Sequence, residues 1–596
     1  MHQYAHSMFA VGFMNALQSK SMYNAGSVDN NNKFVVQHLL YGNSAVMSIP
    51  DLPNTDMLVI IGANPAVTNL SLVTCPNILQ VLRNIQNRNG EIYTIDPRRN
   101  KTVKFLEKRK NFHHLSIFPD SDVYLLLAMI NIIFSENWED KDYLEKNVEG
   151  WRKVKNTVEP FTAKMAEKIC GISEREIYDL TDKFVHTKKA VIYGRLGTCL
   201  STFATLNAWA IEVLNIIGGK LDRPGGAIFG KNIINIAQLG GLVGQGSFDS
   251  YRSRVGNYPD VMGALPLGTL AREILQEKSS VRVLLISGGN PLLSAPNSNE
   301  FDRALRKLEF CVMLDFYINE TADLAADYLL PTRTPLENSN LPIFLSNYQL
   351  FPHLEYSAAV VRPDKYGPKA EWEILLSLAR LMDVPMFGNR FLNLIPKIFK
   401  IFRKKFTPEF FIKVFLFVGQ LLKGKIPGIS SKSYTLKQLK NKGTISLGNN
   451  EYGMLSDYIY TNSKKIEIFP SIIQNQILKC RNDYSHKLDF INEITESKNE
   501  FVMIGRRNLK TMNSWMHNIK KLWPNKKEPA VFINPIDARN LNLRNSEKVI
   551  LKNELGEIKV PVLNTQSVVF RIRTAVLVEH FSDAHYNSLT FLNRHG

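Results

Sequence analysis

Two short stretches of the chain stand out as almost unbroken apolar runs. Met57 to Ile61 is apolar at every position, and Val283 to Ser287 at all but the last. A continuous apolar run of about five residues predicts a strand buried on both faces, as in a parallel sheet. The first run ends in Gly62-Ala63-Asn64-Pro65 and the second in Gly288-Gly289-Asn290-Pro291. Each is followed by a helical pattern and then by another strand closing on an aspartate, "EIYTID" at Asp96 and "FCVMLD" at Asp315. Further strand candidates are Ala190 to Tyr193, ending in Gly194-Arg195, and Asp327 to Leu330, ending in Pro331. Strands alternating with helices predict an α/β protein with two Rossmann-like, doubly wound modules.

The pattern changes twice more. Residues 385–495 are basic, Asn-rich and irregular, and read as an insertion or connecting region. From Phe501 short strands return. Asn534-Pro535-x-Asp537 reads as a capped helix start, and "KVILKNELGEIKVPV" alternates about Glu554-Leu555-Gly556 as a hairpin does. The expected plan is a remnant of the first α/β module at 1–27, an α/β dinucleotide-binding module at 28–275 and its continuation in a second module at 276–384. The connecting region at 385–495 and a C-terminal β-barrel at 496–596 complete it. The opening "MHQYAHSMFAVGFMNAL" lacks the cationic start of a secretion signal and reads as a helix already under way.

Length and composition narrow the class. The chain has 596 residues, 44% hydrophobic and 21% charged, the balance of a multidomain globular protein. No apolar run reaches the ~18–20 residues of a membrane span. Five cysteines (Cys75, Cys170, Cys199, Cys311, Cys480) are scattered without a CxxC, so no iron–sulfur site of the usual local form is encoded and a reducing, cytoplasmic setting is expected. The net charge of +18 should attract phosphates. It concentrates in residues 390–425, where nine Lys/Arg face one acid, Glu409, among large apolar residues. That segment reads either as helices packed on the core or as a weak membrane-surface contact. No nucleic-acid motif accompanies the charge.

Gly-x-Asn-Pro at a strand end suits ligand capture. Gly permits close backbone approach, Asn both donates and accepts, and Pro stiffens the turn. A strand-terminal Asp can accept from ribose or a guanine edge, and Pro97-Arg98-Arg99 adds phosphate donors beside Asp96. The absence of GxGxxG disfavours a simple NAD site.

These segments, with "VIYGRLGTC", "LNIIGGKLDRPGGAIF", "INETADLAADYLLP", "IGRRNLKTMNSWMHN" and "FINPIDARNLNL", resemble the molybdopterin oxidoreductases of the dimethyl sulfoxide reductase superfamily, nearest the formate-dehydrogenase-like branch. The resemblance implies a bis-(molybdopterin guanine dinucleotide) cofactor carrying Mo or W. Gly62, Asn64 and Pro65 would lie against one dinucleotide, with Asp96, Arg98 and Asp122 at its guanosine end. Gly288, Asn290, Pro291, Asp315 and Thr321 would serve the other. Gly194 and Arg195 would face the central cleft, and Arg506, Asn513, Ser514, Trp515, His517 and Asn587 would reach the pterins.

The sequence departs from that family in three places. The cysteine-rich iron–sulfur domain is not encoded, so the chain reads as a fragment. The expected Cys, selenocysteine or Ser metal ligand would fall near Val35, where "NNNKFVVQHLL" offers only His38, more simply read as a core residue. The closing stretch keeps only a trace of the pattern around Asn587. Two readings follow: a two-electron oxidoreductase acting on a small substrate with a separate electron-transfer partner, or a non-catalytic, dinucleotide-binding structural subunit.

Overall fold

The computed structural model describes residues 4–238, 246–278, 281–388, 409–422, 433–497, 500–507, 515–516, 519, 521–522, 530–553, 556–564, 574–578 and 588–592. The first sheet consists of β1 (Met57–Ile61), β2 (Glu91–Ile95), β3 (Phe112–Leu115) and β4 (Ala190–Gly194). They are parallel in the order β3-β2-β1-β4, with Ile61 opposite both Ile95 and Gly194. Every residue of β1 and β4 is buried, which explains their unbroken apolar runs. The helices Asp122–Ser135 and Ala204–Ile217 are apolar nearly all round, and each buries twelve residues in this core.

The second sheet holds β5 (Val283–Ser287), β6 (Phe310–Asp315) and β7 (Tyr328–Pro331), parallel and in that order. One face packs on Leu270, Ile274, Phe301 and Leu305. The other takes Phe9 and Phe13 of the helix Tyr4–Ala16, together with Leu375, Leu376 and Ala379. The N-terminal helix therefore packs on the second module, not on the first as its place in the chain suggested. Phe9 and Phe13 stand one turn apart on a single face, and Phe9 meets the Trp372 ring at 5.5 Å.

The stretch expected to connect the modules is also built into a core. The helices Ser471–Asn482 and Tyr484–Glu496 bury Ile473, Ile477, Cys480, Ile491 and Ile494 in the first module's interior. Two buried donors tie the stretch down: Tyr124 Oη donates to the Cys480 carbonyl at 3.2 Å, and Trp209 Nε1 to the Ile468 carbonyl at 2.8 Å. Of the basic segment 390–425, the described part is the helix Glu409–Leu422. It seats Ile412 and Leu416 on Ile233, Leu354 and Leu439 and leaves Phe417 and Leu421 half exposed. The core-packing reading holds for that part, and the rest lies outside the described residues.

The last strands are β8 (Glu500–Arg506), β9 (Ala530–Ile533), β10 (Lys548–Asn553), β11 (Gly556–Asn564), β12 (Thr574–Val578) and β13 (Ser588–Leu592). They pair in the order β8-β12-β9-β11-β10-β13, and β13 returns to β8, so the ring of pairs closes. Phe501, Val531, Ile533, Leu551 and Val562 fill it. Asn534 caps the helix Pro535–Asn540 by accepting from the Ile536 amide at 2.8 Å. Among the described residues no helix is long and apolar enough to cross a membrane.

Candidate functional site

The two Gly-x-Asn-Pro turns end β1 and β5, and the same set of hydrogen bonds builds both. The Gly62 amide donates to Ile95 O at 3.0 Å, and the Gly288 amide to Leu314 O at 2.9 Å. Each bond locks the turn to the neighbouring strand. The Asn64 side-chain oxygen accepts from Thr102 Oγ1 at 2.8 Å, and that of Asn290 from Thr321 Oγ1 at 2.7 Å. The same two hydroxyls accept the Ala66 and Leu292 amides at 3.0 and 3.1 Å. Pro65 and Pro291 begin short helices, where a missing N–H costs nothing.

The aspartates are twinned as well. Asp96 accepts the Arg98 amide at 2.7 Å and Asn100 Nδ2 at 2.8 Å. Asp315 accepts the Phe316 and Tyr317 amides at 2.7 and 3.2 Å and Asn319 Nδ2 at 3.2 Å. Asn100 and Asn319 in turn cap the helices that carry Thr102 and Thr321. Both modules thus share Asp-x-x-x-Asn-x-Thr. Asn100, Thr102 and Asn319 were missed in the sequence reading, although this common spacing was there to be found.

Around these frames the surroundings differ. At the first turn Arg98 reaches the Gly505 carbonyl of β8 at 3.5 Å. Burial lowers its pKa, Asp96 opposes that shift, and nearby Arg506 adds to it. Burial likewise lowers Arg506, whose guanidinium lies 4.6 Å from the Phe532 ring. At the second turn Asn290, Asp315, Phe316, Tyr317, Ile318 and Trp515 line a cavity of about 80 Å³. Trp515 meets Phe316 edge-on at 5.7 Å. Burial raises both aspartates. Arg98 opposes the rise most at Asp96, and backbone donors oppose it at Asp315. The C-terminal part of the chain therefore touches both turns.

The glycines also diverge. Both take positive φ, +60° at Gly62 and +59° at Gly288. A side chain at Gly62 would stand 2.8 Å from the Thr198 amide nitrogen and 3.0 Å from Gly197 Cα, so this glycine makes room for backbone. At Gly288 the nearest atom would be Glu371 Oε1 at 3.8 Å, which leaves that turn open.

Gly194 ends β4 and Arg195 follows it, beside the first turn: the Arg195 amide donates to Ile61 O at 3.2 Å. The Arg195 side chain is buried, and its Nε and Nη1 have no hydrogen-bond partner among the described residues. Lys33, unnoticed in the sequence, donates from Nζ to the Gly194 carbonyl at 2.5 Å. His38 is half-buried and its ring lies 5.7 Å from that of Phe248 between centroids.

Asp122 opens the helix Asp122–Ser135 and is buried. Burial, then Asp120, then Asp96 push its carboxyl up to about 7. Asp120 accepts from Thr202 and from Lys487 Nζ, the latter at 2.8 Å. Asn513, Ser514, His517 and Asn587 lie outside the described residues.

A molybdopterin oxidoreductase family model matches residues 3–381. The chain belongs to the molybdopterin oxidoreductase family. A second model, the molydopterin dinucleotide binding domain, matches residues 501–595. This molybdopterin oxidoreductase is 25% identical over 566 residues to the alpha subunit of a formate dehydrogenase from Methanocaldococcus jannaschii, covering 92% of the present chain and 76% of the relative. It is 25% identical to formate dehydrogenase H of Escherichia coli over 59% of this chain and 49% of that one. Against the assimilatory nitrate reductase catalytic subunit of Bacillus subtilis the identity is 25%, over 56% and 46%. Acetylene hydratase from Pelobacter acetylenicus shares the α/β fold at a TM-score of 0.72 and 18% identity, over 97% of this chain and 77% of that one. The chain thus spans about half the length of some of its curated relatives and about three quarters of others.

Proposed function

We propose that the chain is a molybdopterin-dependent oxidoreductase subunit, formate-dehydrogenase-like, that binds a bis-(molybdopterin guanine dinucleotide) carrying Mo or W. The observation that carries this reading is the duplicated capture frame at the ends of β1 and β5. One set of bonds occurs twice, on two parallel sheets, and each copy meets the C-terminal domain. Ligands of open α/β sheets bind beyond the carboxyl ends of the strands. Two such ends suit two dinucleotides, with the closed C-terminal strand ring covering both.

The residues present fit such a group. Burial disfavours the charge on both Arg98 and Arg506, Arg506 adds to the shift at Arg98, and a phosphate beside them would relieve that. The cavity at Asn290, Asp315 and Trp515 offers an amide, a carboxylate and an aromatic edge, the donor and stacking set a purine base takes. When bound, the cofactor supplies a centre that accepts or gives two electrons, and the protein supplies position and field. Asp96 and Asp315 are held rigidly by amides and by Asn100 and Asn319, so they present fixed acceptors. Gly288 keeps its turn open. Arg195 brings positive charge to the end of β4, where a negatively charged substrate would be oriented. Electrons would leave through a partner polypeptide in the cytoplasm, in keeping with the M. jannaschii relative being itself a subunit alpha.

The non-catalytic reading rests on one observation. Near the position expected for a metal ligand, Phe34 and Val36 turn into the core and offer no donor. Expression under cofactor-replete conditions separates the readings. The oxidoreductase binds about one Mo or W per chain, and acid hydrolysis releases about two GMP for each metal. Absence of metal and GMP from folded protein would establish the structural subunit instead.

A further inference from the structure

The helix Glu409–Leu422 is apolar on two faces. Ile412 and Leu416 seat the inner one on Ile233, Leu354 and Leu439, as a core helix should. The seat is close, since a side chain at Gly419 would run into the Ile233 carbonyl. Gln420 ties the helix to the start of Leu436–Lys442, donating to the Tyr434 carbonyl at 2.9 Å and accepting the Tyr434 amide at 2.7 Å. The outer face is what the core leaves over. Val414, Phe417 and Leu421 are 38%, 49% and 51% exposed. They stand at i, i+3 and i+7, a single stripe over two turns and about 10 Å long. Its setting is cationic. Lys413 is exposed on the same helix, and Lys437, Lys440 and Lys442 are exposed on Leu436–Lys442. The one acid of the two helices is Glu409, and it is engaged: Lys440 Nζ lies 2.8 Å from its Oε1, to which Tyr356 Oη donates at 2.9 Å. Along the sequence, residues 390–442 carry thirteen Lys/Arg against that single acid.

We propose that this outer face is a docking surface for an anionic lipid bilayer, with the helix lying flat on it. Exposed apolar residues scattered singly need no explanation, but an ordered stripe within a strongly basic region does. Interfacial helices sink such a stripe to the acyl boundary and hold lysines at the headgroups. Among the described residues no helix is long and apolar enough to cross a bilayer, so the contact is in the plane of the surface. Charge complementarity selects the occupant. Protein interfaces are depleted of lysine and centre on aromatic and arginine anchors with hydrogen-bonding groups. Here the four cations on the two helices are all lysine, and the stripe carries no polar group. The surface lies outside both capture frames and goes beyond the function proposed above.

The test is co-sedimentation of the full chain with vesicles, in low and in high sodium chloride. One set is phosphatidylcholine alone, and the other is phosphatidylcholine with phosphatidylserine at two to one. The expected result is saturable binding to the phosphatidylserine vesicles alone, weakened at least about fivefold by high salt. Phe417→Gln combined with Leu421→Gln should weaken it at least about tenfold. Lys437→Gln combined with Lys442→Gln should weaken it at least about threefold. All four side chains are exposed, so both variants should keep the thermal unfolding midpoint of the wild type, and if one does not fold the other decides. No binding to phosphatidylserine vesicles, equal binding to both kinds of vesicle, or unchanged binding in either folded variant overturns the proposal. Poly-L-glutamate probes for an acidic protein partner. Binding to it as tight as to the vesicles, and unaffected by the Phe417 and Leu421 substitutions, also overturns the proposal, because charge alone would then account for the surface.

Discussion

The turn after β1 and the turn after β5 share a skeleton and differ in what surrounds it. In both, a threonine hydroxyl ties an asparagine to the turn backbone, and a strand-terminal aspartate is held by amides and a second asparagine. The first is enclosed: Gly62 abuts Gly197 and Thr198, and Arg98 extends toward the Gly505 carbonyl. The second is open, with Gly288 facing space and with Phe316, Tyr317 and Trp515 around its cavity. The bonds that shape the backbone are thus common to both turns, while the surroundings differ, with cations on one side and aromatic rings on the other.

The glycines test that contrast most sharply. An added methyl at either position meets left-handed strain of about 1–2 kcal/mol. Gly62→Ala must also displace backbone, because its Cβ would lie 2.8 Å from the Thr198 nitrogen. We expect Gly62→Ala to cost more than about 3 kcal/mol and Gly288→Ala about 1 kcal/mol, measured by urea unfolding. Equal costs would show that the first turn is no tighter than the second.

Asp122 sharpens the comparison through pH, since it places a further buried acid beside Asp96. The folded chain holds its proton to about pH 7, whereas an unfolded chain releases it near pH ~4. Between those values the native state binds more protons, so this group's contribution falls as pH rises from about 4 to 7 and stays lost above. Asp122→Asn removes that slope. Relative to wild type the variant should gain on the order of 1–3 kcal/mol at pH 8 and little at pH 4. Parallel stability–pH curves for the two proteins would mean that Asp122 ionises normally.

Much of this frame was legible in the sequence because its parts are local. β1 is wholly apolar and β5 is apolar up to Ser287, each runs into Gly-x-Asn-Pro, and Asp96 and Asp315 close the following strands. What was not legible depends on distant partners. Asp120 is held by Lys487, on a helix whose Asn-rich flanks read as connecting chain. Phe9 and Phe13 choose the second module although the first follows them more closely in sequence. Nothing in "IYGRLG" marks Arg195 as a buried guanidinium whose Nε and Nη1 lack acceptors among the described residues, and nothing in "NNNKFVV" marks Lys33 as its neighbour. Thr102 and Asn100 are the intermediate case. Their spacing from Asp96 repeats at Asn319 and Thr321, a pattern visible only when the two modules are laid side by side.

That repeated spacing yields the smallest and most symmetric prediction. Thr102 and Thr321 are both fully buried, and each hydroxyl donates to an asparagine oxygen while accepting a backbone amide. Thr→Val keeps the volume and removes both bonds, leaving the Ala66 or the Leu292 amide without this acceptor. Each loss should cost about 1–3 kcal/mol. The two need not match: the Asn64 oxygen also accepts the Thr102 amide at 3.2 Å, a bond that survives the substitution. Thr321→Val should therefore be the more damaging by roughly 0.5–1 kcal/mol. Urea unfolding of the two single variants measures the difference, and the double variant should show additive losses because the sites lie in separate modules. A negligible loss at one site with a full loss at the other would mean that the shared geometry does not carry shared energetics.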